Sequence, residues 1–366
     1  MLEKRKNIAL VVMTAAFLCG FMLWSILKPT DAESVSERRP LAAFPALSAA
    51  SVSSGEFMSG FEAYALDQFP LRDQFRTLKA FTVFHVLGQK DNNKIYIEDG
   101  YASKLEYPLD TGSVEYAAER FRFVYEQYLA DKNMKVYLSV IPDKNYFMAR
   151  QSGHPSLDYE AFIAGVREQM DFAAYIDITD LLELSDYYRT DTHWRQEKIT
   201  DVAGRLAEGM GAAASDEYAV KQADSPFYGV YYGQAALPLS PDTLYYLESE
   251  YLSACTVYDY ETGAYIPVYD LDKAAGKDPY ELFLSGPKSL LTIENPNART
   301  DRELIIFRDS FGSSLAPLLA EGYGKITLVD IRYLSPEMLD RFITFEGQDV
   351  LFLYSVFVLN NSVTIK

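Results

Sequence analysis

Cysteine, histidine and positive charge are all scarce in this chain. Two cysteines occur among 366 residues; Cys19 lies inside an apolar N-terminal stretch, which leaves Cys255 alone in the rest. An internal disulfide and a cysteine-based zinc site are thereby excluded, and Cys255, with no motif around it, reads as structural. The three histidines are His85, His154 and His193. So few argue against a multi-histidine metal centre and leave three candidates for any histidine chemistry. Lys and Arg total 34 against 52 Asp and Glu, a net charge of -18. No nucleic-acid partner is expected, because affinity for phosphates rests on Lys and Arg. Neither a GxGxxG after a strand nor a GxxxxGK[ST] loop is present, so nucleotide binding has no support and no cofactor is implied. GxSxG is missing too, which removes the ordinary α/β-hydrolase elbow.

What is present is apolar bulk. About half the residues are hydrophobic and 14% are aromatic, enough for a sizeable core in one large domain or two smaller ones. Ile8 to Leu27 form an uncharged run of 20 residues, the length a helix needs to cross a bilayer. Lys4, Arg5 and Lys6 precede it, which predicts a cytoplasmic N-terminus (1–7), an anchor (8–27) and an exported remainder. A cleaved signal peptide is the alternative, but its apolar core is shorter and ends in small residues, whereas Leu23-Trp24-Ser25-Ile26-Leu27 ends in bulk. Residues 1–28 carry four basic and one acidic side chain, and the remainder nets -21. The exported part should be repelled by anionic head groups; its acidity suits solubility outside the cytoplasm, or a neutral or cationic partner such as an amino-sugar polymer.

Residues 28–56, rich in Ser, Ala and Pro, read as a juxtamembrane tether, and 57–366 as the exported domain. Phe57 to Lys79 is a helical lead-in broken at Pro70. Ile95-Tyr96-Ile97 after Asp91-Asn92-Asn93-Lys94, followed by Glu98-Asp99-Gly100, is hairpin grammar. Phe121, Val124, Tyr125, Tyr128 and Leu129 have helical spacing. Short β-rich runs follow at 135–141 and 174–178, and a helix follows with Ile199, Val202, Ala203, Leu206 and Met210 on one face. Residues 214–298 read as a β-rich insertion. Leu304–Phe307, Ile326–Val329 and Val350–Tyr354 are compact apolar runs, the first two each followed by an expected helix. Strands that alternate with helices and are apolar throughout predict an α/β fold with a mostly parallel buried sheet.

Two segments carry the chemistry. Arg308-Asp309-Ser310-Phe311-Gly312 places a serine at the carboxyl end of a parallel strand, where open α/β sheets bind ligands. It also lies at an expected helix N-terminus, where the Ser310 and Phe311 N–H groups could hold an oxyanion. Gly312 would admit a substrate close to the backbone, and Arg308 is a candidate to face the same side. Helix caps and turns use the same residue types. Asp191-Thr192-His193-Trp194 offers a base and a carboxylate two positions apart, on one face of an extended segment; a surface-loop histidine beside an acid is the plainer reading. Trp194 is a candidate wall of a sugar pocket. Lys144, after strand 135–141, is a candidate to orient substrate or buttress the site. Asn360 and Asn361, after the last strand, are candidate side-chain donors. Asp186, Asp191 and His193 could hold a metal, but no second histidine lies nearby, and no metal is expected.

At these residues the sequence resembles the DHHW protein family, similar to the alginate O-acetylation proteins of the SGNH-hydrolase-like class. The resemblance runs from about Arg39 to the C-terminus through SGEFMSGFEAYALDQFPLRD, NNKIYIEDGY, VIPDKNY, DTHW, FYGVYYGQAALP and FRDSFG. Thr192 stands where the family name implies a first histidine, which leaves the Asp-x-His pair intact. The resemblance implies an SGNH-like three-layer sandwich and a triad of Asp191, His193 and Ser310 as orienter, base and nucleophile. It further implies an O-acetyltransferase acting on a cell-surface or secreted polysaccharide, with a membrane acyltransferase partner delivering acyl groups. A carbohydrate acetylesterase of the same fold, and a non-catalytic glycan-binding or scaffold protein, are the alternatives; fold kinship does not fix activity.

Overall fold

The computed structural model describes residues 2–215 and 217–366. By its internal contacts the chain divides into two units, Met1–Asn92 with Gly233–Pro238, and Asn93–Tyr232 with Leu239–Lys366.

The first unit begins with helix α1, Leu2–Leu27. Its stretch Glu3–Leu27, with mean hydropathy 2.3, is long and apolar enough to cross a membrane. It stops where Pro29 biases the preceding residue away from the helical region. The lead-in forms two helices, α2 at Glu56–Asp67 and α3 at Arg72–Phe81, separated around Pro70 as its ring requires. Residues 28–56, expected as a tether, have local structure of their own. Glu33–Ser34 pairs antiparallel with Arg39–Pro40, and a short helix covers Ala49–Ser54. Ion pairs tie this strap down: Arg39 to Asp67 at 2.6 Å, and Arg72 to Glu37 at 2.6 Å. A composition of Ser, Ala and Pro hides these bonds because their partners lie some 30 positions away in sequence.

The second unit opens with the expected hairpin, β1 at Ile95–Glu98 and β2 at Tyr101–Lys104. Its other strands are β3 Lys135–Ile141, β4 Ala174–Tyr175, β5 Ala219–Phe227, β6 Asp242–Glu248, β7 Thr256–Asp259, β8 Ala264–Ile266, β9 Leu290–Glu294, β10 Glu303–Arg308, β11 Lys325–Val329 and β12 Asp349–Ser355. Eight of them form one sheet in the order β8-β7-β9-β11-β10-β12-β3-β4. From β11 to β4 every pairing is parallel. The period of two then sorts side chains onto two faces. Leu304, Ile306, Leu351 and Leu353 enter one apolar core, roofed by helix Thr200–Gly209 through Val202, Ala203 and Leu206. Ile305, Phe307, Val350 and Phe352 enter the other, beneath helices Thr111–Val124 and Tyr159–Gln169. This is the buried, mostly parallel α/β sheet the apolar runs predict, covered on both faces as the family resemblance implies. Each such residue, fully buried, contributes about 1.5–3 kcal/mol before ordering costs.

Within the β-rich insertion, β7, β8 and β9 continue the central sheet antiparallel, and β5 and β6 pair apart from it. Leu291 and Ile293 supply apolar faces that cover the flank of β11. The run 174–178 is extended only at Ala174–Tyr175, because the Asp177 carboxylate accepts the Thr179 N–H at 2.9 Å and turns the chain. The helices expected after β10 and β11 are short: Gly312–Leu315 continued as a 3-10 turn, and a 3-10 helix at Pro336–Arg341.

Candidate active site

Ser310 lies just past β10, a central strand with parallel neighbours on both sides. The preceding Asp309 is buried and fixes the turn. Its carboxylate accepts the Phe311 N–H at 3.0 Å, the Ser355 N–H at 2.8 Å and the Ser355 hydroxyl at 2.6 Å. The turn is thus tied to the end of β12, and Ser310 itself stays partly exposed.

Asp191 and His193 lie on a loop closed by an antiparallel bridge between Tyr187 and Trp194. Tyr188 donates its N–H to the His193 carbonyl at 3.1 Å. One oxygen of Asp191 accepts both the His193 backbone N–H at 3.1 Å and Nδ1 at 2.6 Å. The other accepts the Val230 N–H at 2.9 Å. On the far side of the imidazole, Nε2 lies 2.8 Å from the Ser310 Oγ. With the Nδ1 proton directed to Asp191, Nε2 is positioned to accept the serine proton. The structure therefore brings Asp191, His193 and Ser310 into one hydrogen-bonded line, across 117 positions between the last two.

The other candidates sit elsewhere or do other work. Phe311 cannot offer its N–H to an oxyanion, since Asp309 takes it; the Gly312 N–H goes to the Asp309 carbonyl at 3.1 Å. A Cβ on Gly312 would meet the Arg308 side chain at 2.8 Å, so this glycine makes room for Arg308 rather than for a substrate. Arg308 is fully buried and donates to the Asp309 and Lys288 carbonyls and to the Ser313 hydroxyl. Trp194 is fully buried as well, its indole N–H shared between the Phe311 carbonyl and the Ser314 hydroxyl; it fastens the loop to the turn and walls no pocket. Asn360 holds Glu106, the Pro108 carbonyl and the Asp110 N–H, and Asn361 also donates to Glu106. Asp186 accepts the Glu183 N–H at 2.7 Å, a local capping role.

Lys144 does buttress the loop. Its buried ammonium donates to the carbonyls of Ala102, Tyr188 and Arg189, joining β2 to the chain just before Asp191. Burial pulls it down to about 7, against the attraction of Asp191 and Asp242. Asp242 holds the same segment from outside, accepting the N–H groups of Arg189 and Thr190, each at 2.8 Å.

Two contributors escape the sequence reading. Tyr280 stacks its ring on the His193 imidazole, centroids 3.7 Å apart and 5° from parallel, with its hydroxyl 2.9 Å from the Ser314 Oγ. Burial pushes this phenol well above its ordinary value. Gly229, in the FYGVYYG segment, packs so closely on the loop that a Cβ would stand 2.3 Å from the Asp191 Cβ and the Thr190 carbonyl. Tyr280 has no local signal, whereas Gly229 belongs to a segment already noted for its family likeness. A cleft of about 230 Å³ lined by Tyr101, Tyr187, Arg189, Arg195, Asp242 and Tyr245 borders the same loop.

Residues 179–329 match the family described as DHHW protein, so the resemblance seen in the sequence holds over the span that contains Asp191, His193 and Ser310. Among solved structures the chain is similar to a DHHW family protein from Eubacterium siraeum, at 21% identity and a TM-score of 0.59, covering 75% of this chain and 95% of that one. It is also similar to Bacillus cereus PatB1 carrying a sulfonyl adduct, at 18% identity and a TM-score of 0.55, over 72% of this chain and 95% of that one. The O-acetyltransferase domain of Pseudomonas putida AlgJ is similar at 13% identity and a TM-score of 0.45, over 73% and 92%. No curated protein matches the chain. At these identities the first two likenesses establish a shared fold.

Proposed function

We propose that this chain is a membrane-anchored, extracytoplasmic serine O-acyltransferase that moves acetyl groups onto a cell-surface or secreted polysaccharide. The observation that carries the reading is the continuous contact from Asp191 through His193 to Ser310, at 2.6 and 2.8 Å. Serine chemistry needs a hydroxyl, a base within reach and a carboxylate that fixes the base's tautomer. In the proposed cycle, Ser310 Oγ attacks the acyl carbonyl while its proton passes to His193 Nε2. The leaving group takes that proton and departs, leaving an acyl-serine. A sugar hydroxyl then gives its proton to Nε2 and attacks the acyl-serine, which restores Ser310. Asp191 stabilises the imidazolium that forms in each half. The Ser310 N–H is the proposed oxyanion donor, and one such donor is worth on the order of 10²–10³ in rate.

Apolar α1 supports anchoring, and Lys4, Arg5 and Lys6 support an N-terminus in the cytoplasm. The cleft beside the catalytic loop offers tyrosines on which a sugar ring can stack. Delivery of acyl groups by a membrane acyltransferase partner fits this arrangement. A second reading, a carbohydrate acetylesterase, uses the same groups with water as acceptor, and the partial exposure of Ser310 favours it.

A sulfonyl fluoride and p-nitrophenyl acetate test the proposal on the full chain. Covalent labelling at Ser310, absent in Ser310→Ala, and acetyl transfer to an oligosaccharide supplied with the ester are expected. Release of acetate with no acetylated sugar selects the esterase. Absence of both labelling and ester turnover overturns the catalytic reading.

A further inference from the structure

The unit Met1–Asn92 leaves a large apolar surface open on α2, α3 and the helical turn that continues α3. Met58 and Leu66 of α2 are 62% and 65% exposed, and Leu78 of α3 is 58% exposed. On α3, Phe75 and Leu78 fall at i and i+3, so they share one face, and Leu71, just before the helix, is exposed as well. Beyond it, Val86 and Leu87 are exposed too. Soluble monomers rarely show contiguous apolar patches beyond a few hundred Å².

The stripe is continuous with α1. The Phe69 ring stacks on Phe21 of α1, centroids 5.4 Å apart and 1° from parallel, and Phe75 meets the same ring edge-on at 5.8 Å. Phe21 lies six residues before the end of α1, which at ~1.5 Å per residue is about 9 Å along the axis. The uncharged run that ends at Leu27 is about 30 Å long, the thickness of a bilayer's hydrocarbon core. With α1 across the bilayer, rings stacked on Phe21 therefore sit about 9 Å inside the core's outer edge. Interfacial amphipathic helices bury their apolar faces to about 5–10 Å. Two charges of α3, Arg72 and Arg76, turn to Glu37 at 2.6 and 3.3 Å, while exposed Lys79, at i+4 from Phe75, borders the stripe on a stem long enough to reach the head groups.

We propose that α2 and α3 form an interfacial platform that lies in the outer leaflet beside α1, its apolar stripe covered by lipid acyl chains. The inference rests on the reading of α1 as an anchor. It gives the exported part a second hold on the membrane, through apolar contact, despite that part's strong negative charge.

Single-cysteine variants of the full chain test it, in a Cys19→Ser, Cys255→Ser background reconstituted into phosphatidylethanolamine–phosphatidylglycerol vesicles. An environment-sensitive fluorophore is attached at Leu78→Cys, at Met13→Cys within α1, or at Val363→Cys as an exposed control. The expected result is blue-shifted emission at Leu78 that nitroxides near the acyl carbonyl quench, with Met13 quenched by lipid nitroxides as well and Val363 by none. Water-like emission at Leu78 with Met13 quenched overturns the platform while sparing the anchor. Loss of quenching at Met13 overturns the anchor itself. A blue shift at Leu78 that no lipid nitroxide quenches means that protein covers the stripe, and this too overturns the proposal.

Discussion

The turn that carries Ser310 and the loop that carries Asp191 and His193 reach the same place by different means. The turn is held through one of its own side chains: the Asp309 carboxylate binds Phe311 two residues on and Ser355 at the end of the adjacent strand, and Trp194 fastens the turn to the loop. The loop is held from many distant points, by Lys144, Asp242, Val230 and the Tyr280 ring. A turn at a parallel strand end finds its main partner on the neighbouring strand. A loop without regular structure must borrow its rigidity, so its geometry is the more easily disturbed.

The sharpest way to break this comparison is Asp191→Asn. Loss of the carboxylate that fixes the imidazole should lower kcat by about 10⁴, read with p-nitrophenyl acetate, and lower the melting temperature modestly, because the amide has one acceptor oxygen for the N–H groups that both carboxylate oxygens now hold. Next comes Gly229→Ala, whose new Cβ has no space against Thr190 and Asp191. It should cost about 3 kcal/mol in urea unfolding and reduce turnover, because the loop moves. If turnover survives intact, the loop is stiffer than its borrowed contacts suggest.

Lys144→Met should destabilise by about 2 kcal/mol, since buried carbonyls lose their donor. Its pH dependence has a definite sign. Burial brings the folded ammonium down to about 7, whereas an unfolded lysine holds its proton to about 10.4. Above about pH 7 the unfolded chain binds the extra proton, so wild type gains stability relative to the variant as pH rises; below that both states are charged and the difference is flat. Urea midpoints of the two proteins across this range check it. Tyr280→Phe should have the smallest effect, about 1 kcal/mol for the lost bond to Ser314, visible as a slightly lower melting temperature with kcat preserved because the ring still stacks.

Much of the fold was legible in the sequence. The apolar runs at 304–307 and 350–354 alternate onto two cores as a parallel strand buried on both faces must, and the helical spacing of Val202, Ala203 and Leu206 survives intact. Asp191, His193 and Ser310 were legible as candidates because their residue types suit a proton relay. Trp194 and Arg308 misled, since polarity and aromaticity suggest a binding wall, yet both are fully buried as fasteners. Tyr280 was invisible, because it meets His193 only after the chain has travelled 87 positions and returned.

The sequence by itself determined the alternation of strands and helices, the apolar N-terminal run and the chemical types at the site, because each follows from local periodicity and side-chain chemistry. Only the tertiary structure decided which donors are already taken, which aromatic lies on the imidazole and how the insertion joins the sheet. Those outcomes depend on atoms that are neighbours in space but remote along the chain, and local pattern carries no record of them.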